Sequence, residues 1–160
     1  MPDYPAKQFY GSPTTVISLA ATLANGANTY DGLANNTLTQ LDNSTGLYTD
    51  AVAVLGIPDT FAAAPTAGAT IDLYATLEDI DGTSDETPVP GASDILYLAR
   101  YMGSWVVDNQ DVANIKPINI SLLGIKKAKF HILNNSGQTI SYSSNPTTVK
   151  ITPFSVGVTV

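Results

Sequence analysis

Hydrophobic and polar residues alternate along several stretches of this chain with the two-residue period of a β-strand. The clearest case places Ile71, Leu73, Ala75 and Leu77 on one face and Asp72, Tyr74, Thr76 and Glu78 on the other. Such alternation predicts a half-buried strand, apolar side inward. Ala128, Phe130 and Ile132 repeat the pattern, with Lys127, Lys129 and His131 expected on the outward face. The Asn134-Asn135-Ser136-Gly137 sequence then predicts a hairpin turn leading to Ile140 and Tyr142.

The remaining segments follow the same logic with less force. Thr14 to Asn25 fits a strand through Ile17, Leu19, Ala21 and Leu23, and a helix through Val16, Leu19, Ala20 and Leu23. Its β-branched start and Asn-Gly end favour the strand. Asn25 to Ser44 reads as a loop or short edge strand, and Leu47 to Ile57 as a strand with mixed faces closed by Pro58. Ile95 to Val107 reads as a strand broken at Gly103, with one helical turn over Asp94 to Arg100 as the alternative. Ile115 to Leu123 alternates around Pro117, which suits an edge or a strand start. Thr147 to Val160 forms a last, β-branched strand. About eight strands separated by turn-rich loops predict an all-β, antiparallel sandwich of jelly-roll-like form.

Residues Met1 to Pro13 break the pattern. Three prolines and the aromatics Tyr4, Phe9 and Tyr10 predict an extended arm ahead of a single domain over residues 14–160. Either a neighbouring molecule holds such an arm, or it folds back on its own domain. The apolar stretch from Val16 to Ala24 is not expected to be a secretion signal, because Pro2, Asp3, Pro5 and a single Lys7 make a poor positive leader.

Composition strengthens the β reading. Charged residues make up only 13% of the 160 residues, and Thr, Ser, Asn and Gly take their place. Long surface helices would carry far more Glu, Lys and Arg. The net charge of −7 argues against a phosphate-binding surface, so neither nucleic acid nor an anionic membrane is an expected partner. Twelve acids and one base lie before Arg100; six bases and two acids lie from Arg100 onward. A subunit with such a split can dock on copies of itself or on a partner. No cysteine is present, so disulfides and thiolate chemistry are excluded.

Candidate chemistry is sparse. Nucleophilic catalysis needs a nucleophile, a base and an orienting group, yet His131 is the one imidazole. Its strand position predicts a surface or interface histidine. Asp79, Asp81, Asp85 and Glu86 could offer oxygens to calcium, but their spacing departs from an EF-hand loop and suits a solvated Asp-Gly turn. A glycosidase pair would need two carboxyls facing each other across a cleft, which nothing here signals. The eight tyrosines, Trp105 and the many Asn and Asp could stack on and hydrogen-bond to a glycan, although Tyr74, Tyr97, Tyr101 and Trp105 take strand positions, where aromatics more often serve packing or interfaces. Lys126, Lys127 and Lys129 form a short basic cluster suited to a strand edge. No enzyme, cofactor or metal site is expected.

Two stretches carry a resemblance. Ala64-Pro65-Thr66-Ala67-Gly68-Ala69-Thr70-Ile71-Asp72-Leu73-Tyr74 with Asp81-Gly82-Thr83, and Phe130-His131-Ile132-Leu133-Asn134-Asn135-Ser136-Gly137, resemble segments of small β-sandwich virion proteins of tailed bacteriophages. The likeness runs from about Leu47 onward and rests on turn chemistry. It implies a capsid decoration (cement) protein on the outer surface of the head. The partners implied are the major capsid protein and copies of the chain itself, as a trimer before a dimer. Interface residues expected on this basis are Tyr4, Phe9, Tyr10, Lys126, Lys127 and Lys129. A glycan-binding or host-attachment module of a phage tail or fibre is the alternative.

Overall fold

A computed structural model describes residues 6–29, 36–77, 99–110 and 112–158. Ten strands occupy them: β1 (Ala6–Tyr10), β2 (Thr14–Leu19), β3 (Asn36–Leu38), β4 (Leu41–Asp42), β5 (Asp50–Ile57), β6 (Thr70–Leu77), β7 (Arg100–Val106), β8 (Asn114–Ser121), β9 (Lys127–Asn135) and β10 (Thr147–Val158). Glu78, the Asp79–Glu86 carboxylates, Tyr97 and most of the Asp94–Arg100 alternative lie outside the described residues; Arg100 itself opens β7.

The strands form two antiparallel sheets, ordered β3-β2-β10-β5-β8 and β4-β9-β6-β7, with β1 added to β10. The pairings nest as one long hairpin folded over itself: β6 with β7, β5 with β8, β4 with β9 and β2 with β10. Adding β10–β5 and β6–β9 contacts makes the double Greek key of a jelly roll. The all-β sandwich expected from the alternation is therefore the fold.

The core lies between the sheets. Ala51, Ala53, Leu55 and Ile57 point inward from β5 in strict alternation, meeting Ile71, Leu73 and Ala75 of β6 and Phe130 and Ile132 of β9. Trp105 of β7 is buried among them, and its indole N–H donates to the Ala53 carbonyl of the other sheet at 3.3 Å. In β2, Val16 is the extra residue at a bulge against β10, so Val16 and Ile17 are both buried. The helical alternative for Thr14 to Asn25 does not form. Pro117 sits on β8, at one end of its sheet, where a missing donor costs no ladder bond.

Three expectations are corrected. β6 is buried on both faces, Asp72, Tyr74 and Thr76 included, rather than half-buried. His131, expected on the outward face as a surface or interface histidine, has 0% exposure within its own domain. The Asn134–Gly137 turn does not close a hairpin, because β9 and β10 belong to different sheets. Both edges of β9 are already filled: β6 lines one, while β4 and residues 26–29 line the other through bonds such as Thr29 N–H to Ile132 O and Asn134 N–H to Ala27 O. The Asn134 amide instead donates to the Leu23 and Gln138 carbonyls, turning the chain across to the other sheet.

Candidate interaction surface

The N-terminal segment folds back on its own domain. Ala6 to Tyr10 pairs with Val158 to Phe154 in register, and the Gly11 N–H donates to Pro153 O at 2.8 Å. β2 continues along β10 from Ile151 to Thr147, so β1 and β2 are two halves of one line beside the longest strand. Pro13 biases Ser12 toward extended backbone, which keeps that line straight.

On the opposite edge, β5 ends its pairing where Asp50 meets Phe154. From Ser155 onward the strand partner of β10 is β1, and the two extend past the sheet as a two-stranded ribbon. Alternation gives the ribbon two faces. One carries Gln8, Tyr10, Phe154 and Val156; the other carries Lys7, Phe9, Ser155 and Gly157. Tyr10 and Val156 are 61% and 60% exposed, and Phe9 is 41% exposed. The Tyr10 and Phe154 rings meet at 5.9 Å, and the Lys7 ammonium lies 5.8 Å from the Phe9 ring centre. Gly157 is small where the Phe9 ring lies over the backbone, since a Cβ there would sit 3.1 Å from that ring.

Of the residues expected at an interface, Phe9 and Tyr10 lie on this ribbon and Tyr4 lies outside the described residues. Lys126 is exposed in the turn before β9, and Lys127 and Lys129 are partly buried on β9. They share the ribbon's end of the sandwich, because Asp50 aligns with both Phe154 and Ser121, the residue leading into that turn. Lys127 pairs in register with Asp42. The Asp42 carboxylate is held below its ordinary pKa by the Ser44 hydroxyl and amide, with a smaller contribution from the Lys127 charge. Asn43 fastens this end: its Oδ1 accepts from Tyr48 N–H at 2.9 Å and its Nδ2 donates to the Tyr48 and Ile125 carbonyls.

A second cluster, not anticipated from sequence, lies on the outward face of β6, β7 and β9. Asp72 accepts from the Ser104 hydroxyl on one oxygen and from the Asn135 amide on the other. The Tyr101 and Ser104 hydroxyls are 2.6 Å apart, and the Tyr101 ring packs edge-on against Tyr74 at 5.5 Å. Burial, and then the Asp72 charge, push the Tyr74 phenol above its ordinary pKa. Tyr101 is 56% exposed, so a carboxylate, an amide and an open aromatic edge stand together. The available signal was the outward phase of Asp72 and Tyr74; what was missing was the bulge at Met102 that brings Tyr101 opposite Tyr74. His131 lies on the same face, 2.8 Å from the Thr76 hydroxyl through Nε2, and desolvation lowers its pKa to about 4. Among the described residues, no group of three or more His, Asp or Glu side chains is placed to hold a metal ion.

No protein-family model matches the chain, and no curated protein matches it. Among solved structures it is similar to the SPBc2 prophage-derived protein YomS, with a TM-score of 0.39 and 12% identity over 97% of this chain and 99% of that one. At that TM-score and identity the likeness carries no functional reading, and function is read from the residues of this chain.

Proposed function

We propose that this chain is a structural protein of a tailed-phage virion, a capsid decoration protein that stabilises the head by bridging capsomers and performs no catalysis. The observation that carries this reading is the β1–β10 ribbon. It sets Phe9, Tyr10 and Val156 outside the core on a projection that the domain does not need for its own burial. Exposed apolar groups gathered on one projection mark a contact surface. The resemblance of the Ala64–Tyr74 and Phe130–Gly137 stretches supplies the phage address and the major capsid protein as partner. Each copy adds a modest contact, and several copies on one shell gain avidity through effective concentration.

The test is binding to purified capsid shells. Replacing Phe9 and Tyr10 together by Ser should reduce occupancy at least tenfold while lowering the unfolding midpoint only slightly, because both side chains are exposed and pack on the ribbon rather than in the core. Unchanged occupancy would remove the ribbon from the interface. Electron microscopy of decorated heads should place density over capsomer junctions on the outer surface.

The Tyr101–Asp72–Asn135 cluster favours a second reading, a glycan-binding module of a tail or fibre. A glycan array with a hit lost in Tyr101→Ala would promote that reading. An array without hits would remove it.

A further inference from the structure

Strand β1 is fastened almost wholly through its backbone. Its strand partner is β10, and Lys7, Gln8, Phe9 and Tyr10 are all exposed, so no side chain in this stretch anchors it in the core. Backbone pairing of this kind is indifferent to which copy supplies the strand. A two-stranded ribbon is marginal in water unless something packs on it, so opening this one costs little. With β1 withdrawn, Phe154 to Val158 becomes a strand edge that Ala6 to Tyr10 from any copy fits in the same register.

The connection suits such a move. Gly11 to Pro13 joins β1 to β2 without reversing the chain, since both strands run antiparallel to β10. Gly11 passes within reach of the Tyr48 ring, where a Cβ would lie 2.9 Å away, and glycine can absorb a backbone rotation at that contact. Pro13 holds the following strand in place while disfavouring a compact conformation at Ser12. Short hinges of this kind invite exchange of a terminal element between protomers.

We infer that β1 is an exchangeable strand: in the assembled form, Ala6–Tyr10 of one copy pairs with Phe154–Val158 of a second copy. The occupant of the β10 edge is thus the same segment in another molecule, as continuity with the β1–β10 pairing requires. Exchange ties copies together through bonds the isolated fold already contains, and the grouped Tyr10, Phe154 and Val156 then cover the crossing point. The inference concerns self-assembly alone and stands or falls separately from the virion reading.

The absence of cysteine makes the test direct. Gln8 and Val156 are register partners, so Gln8→Cys with Val156→Cys places the only two thiols across the β1–β10 pair. The full chain is concentrated in about 150 mM salt, where screening limits the repulsion between copies of charge −7. It is then oxidised with diamide and run on a non-reducing denaturing gel. Exchange gives covalent dimers and higher rungs that collapse on reduction. Crosslinked monomers alone, at every concentration tried, would overturn the inference.

A second measurement decides the matter if oxidation is incomplete. Adjacent residues of a strand point their N–H groups to opposite edges, so Gln8→Pro with Phe9→Pro must remove one bond to β10. Light scattering on the unmodified chain should give an oligomer, and the double-proline chain should be monomeric and folded. An unmodified chain that is monomeric, or an oligomer that survives both prolines, would exclude strand exchange.

Discussion

His131 is the position where acidification should act most sharply. Its imidazole is buried on β9, hydrogen-bonded to Thr76 of β6, and desolvation lowers its pKa from 6.5 to about 4. In the unfolded chain the ordinary value returns, so between about pH 6.5 and 4 the unfolded state binds the proton and the folded state refuses it. Stability therefore rises with pH through this window, is complete above about 6.5, and is lost as pH falls. At about 1.4 kcal/mol per unit, roughly 2 kcal/mol is lost by pH 5 and about 3 kcal/mol by pH 4. Urea unfolding followed through the single, buried Trp105 measures this directly. His131→Gln serves as the reference, because it retains a polar group near Thr76 and cannot titrate. Carboxylates such as Asp42 and Asp59, whose pKa values are lowered, lose their contributions at still lower pH in both proteins and cancel in the difference. The stability of the wild type relative to the variant should fall by about 3 kcal/mol from pH 7.5 to 4. A difference that stays flat to within about 0.5 kcal/mol, or a folded-state imidazole titrating near its ordinary value, would refute the assignment of a desolvated, neutral histidine.

Three further outcomes test how the fold is held. Asn43→Ala leaves the Ile125 carbonyl and both backbone polar groups of Tyr48 without the Asn43 side chain, and should cost about 3 kcal/mol, seen calorimetrically as a midpoint lower by about 10 °C. Gly103→Ala forces a side chain onto a backbone at φ +150° with its Cβ 3.0 Å from the Ile118 methyl, and should cost about 2 kcal/mol in urea unfolding. A loss as small as that of an exposed Gly→Ala change would show that β7 relaxes freely there. Asp59→Ala removes the acceptor of the Ser143 amide and hydroxyl at 2.6 and 3.0 Å, so hydrogen exchange should quicken at Ser143 while the β10 amides keep their protection.

Alternation along the chain was enough to show which side of β6 and of β9 packs into the sandwich. Alternation at Ile71, Leu73 and Ala75, and at Ala128, Phe130 and Ile132, selects the inward side correctly because a strand's side chains must point to opposite faces. It also placed Pro117 where pairing could spare a donor, and it favoured strand over helix for Thr14 to Leu19. Periodicity reports only the direction of a side chain from its own strand and is silent about what lies above the other face. That is why Asp72, Tyr74, Thr76 and His131 read as outward and prove buried. Pairing partners were equally out of reach. Asn134–Gly137 has hairpin chemistry, yet β6, β4 and residues 26–29 had already claimed both edges of β9. The Asp72–Ser104–Tyr101 cluster needed a one-residue bulge at Met102, which has no local signature in composition or spacing. The N-terminal segment makes the same point for function. Its aromatics were visible in sequence, but the reach of β10 beyond Asp50 turned them into a ribbon, and strand length is decided only when neighbouring strands stop.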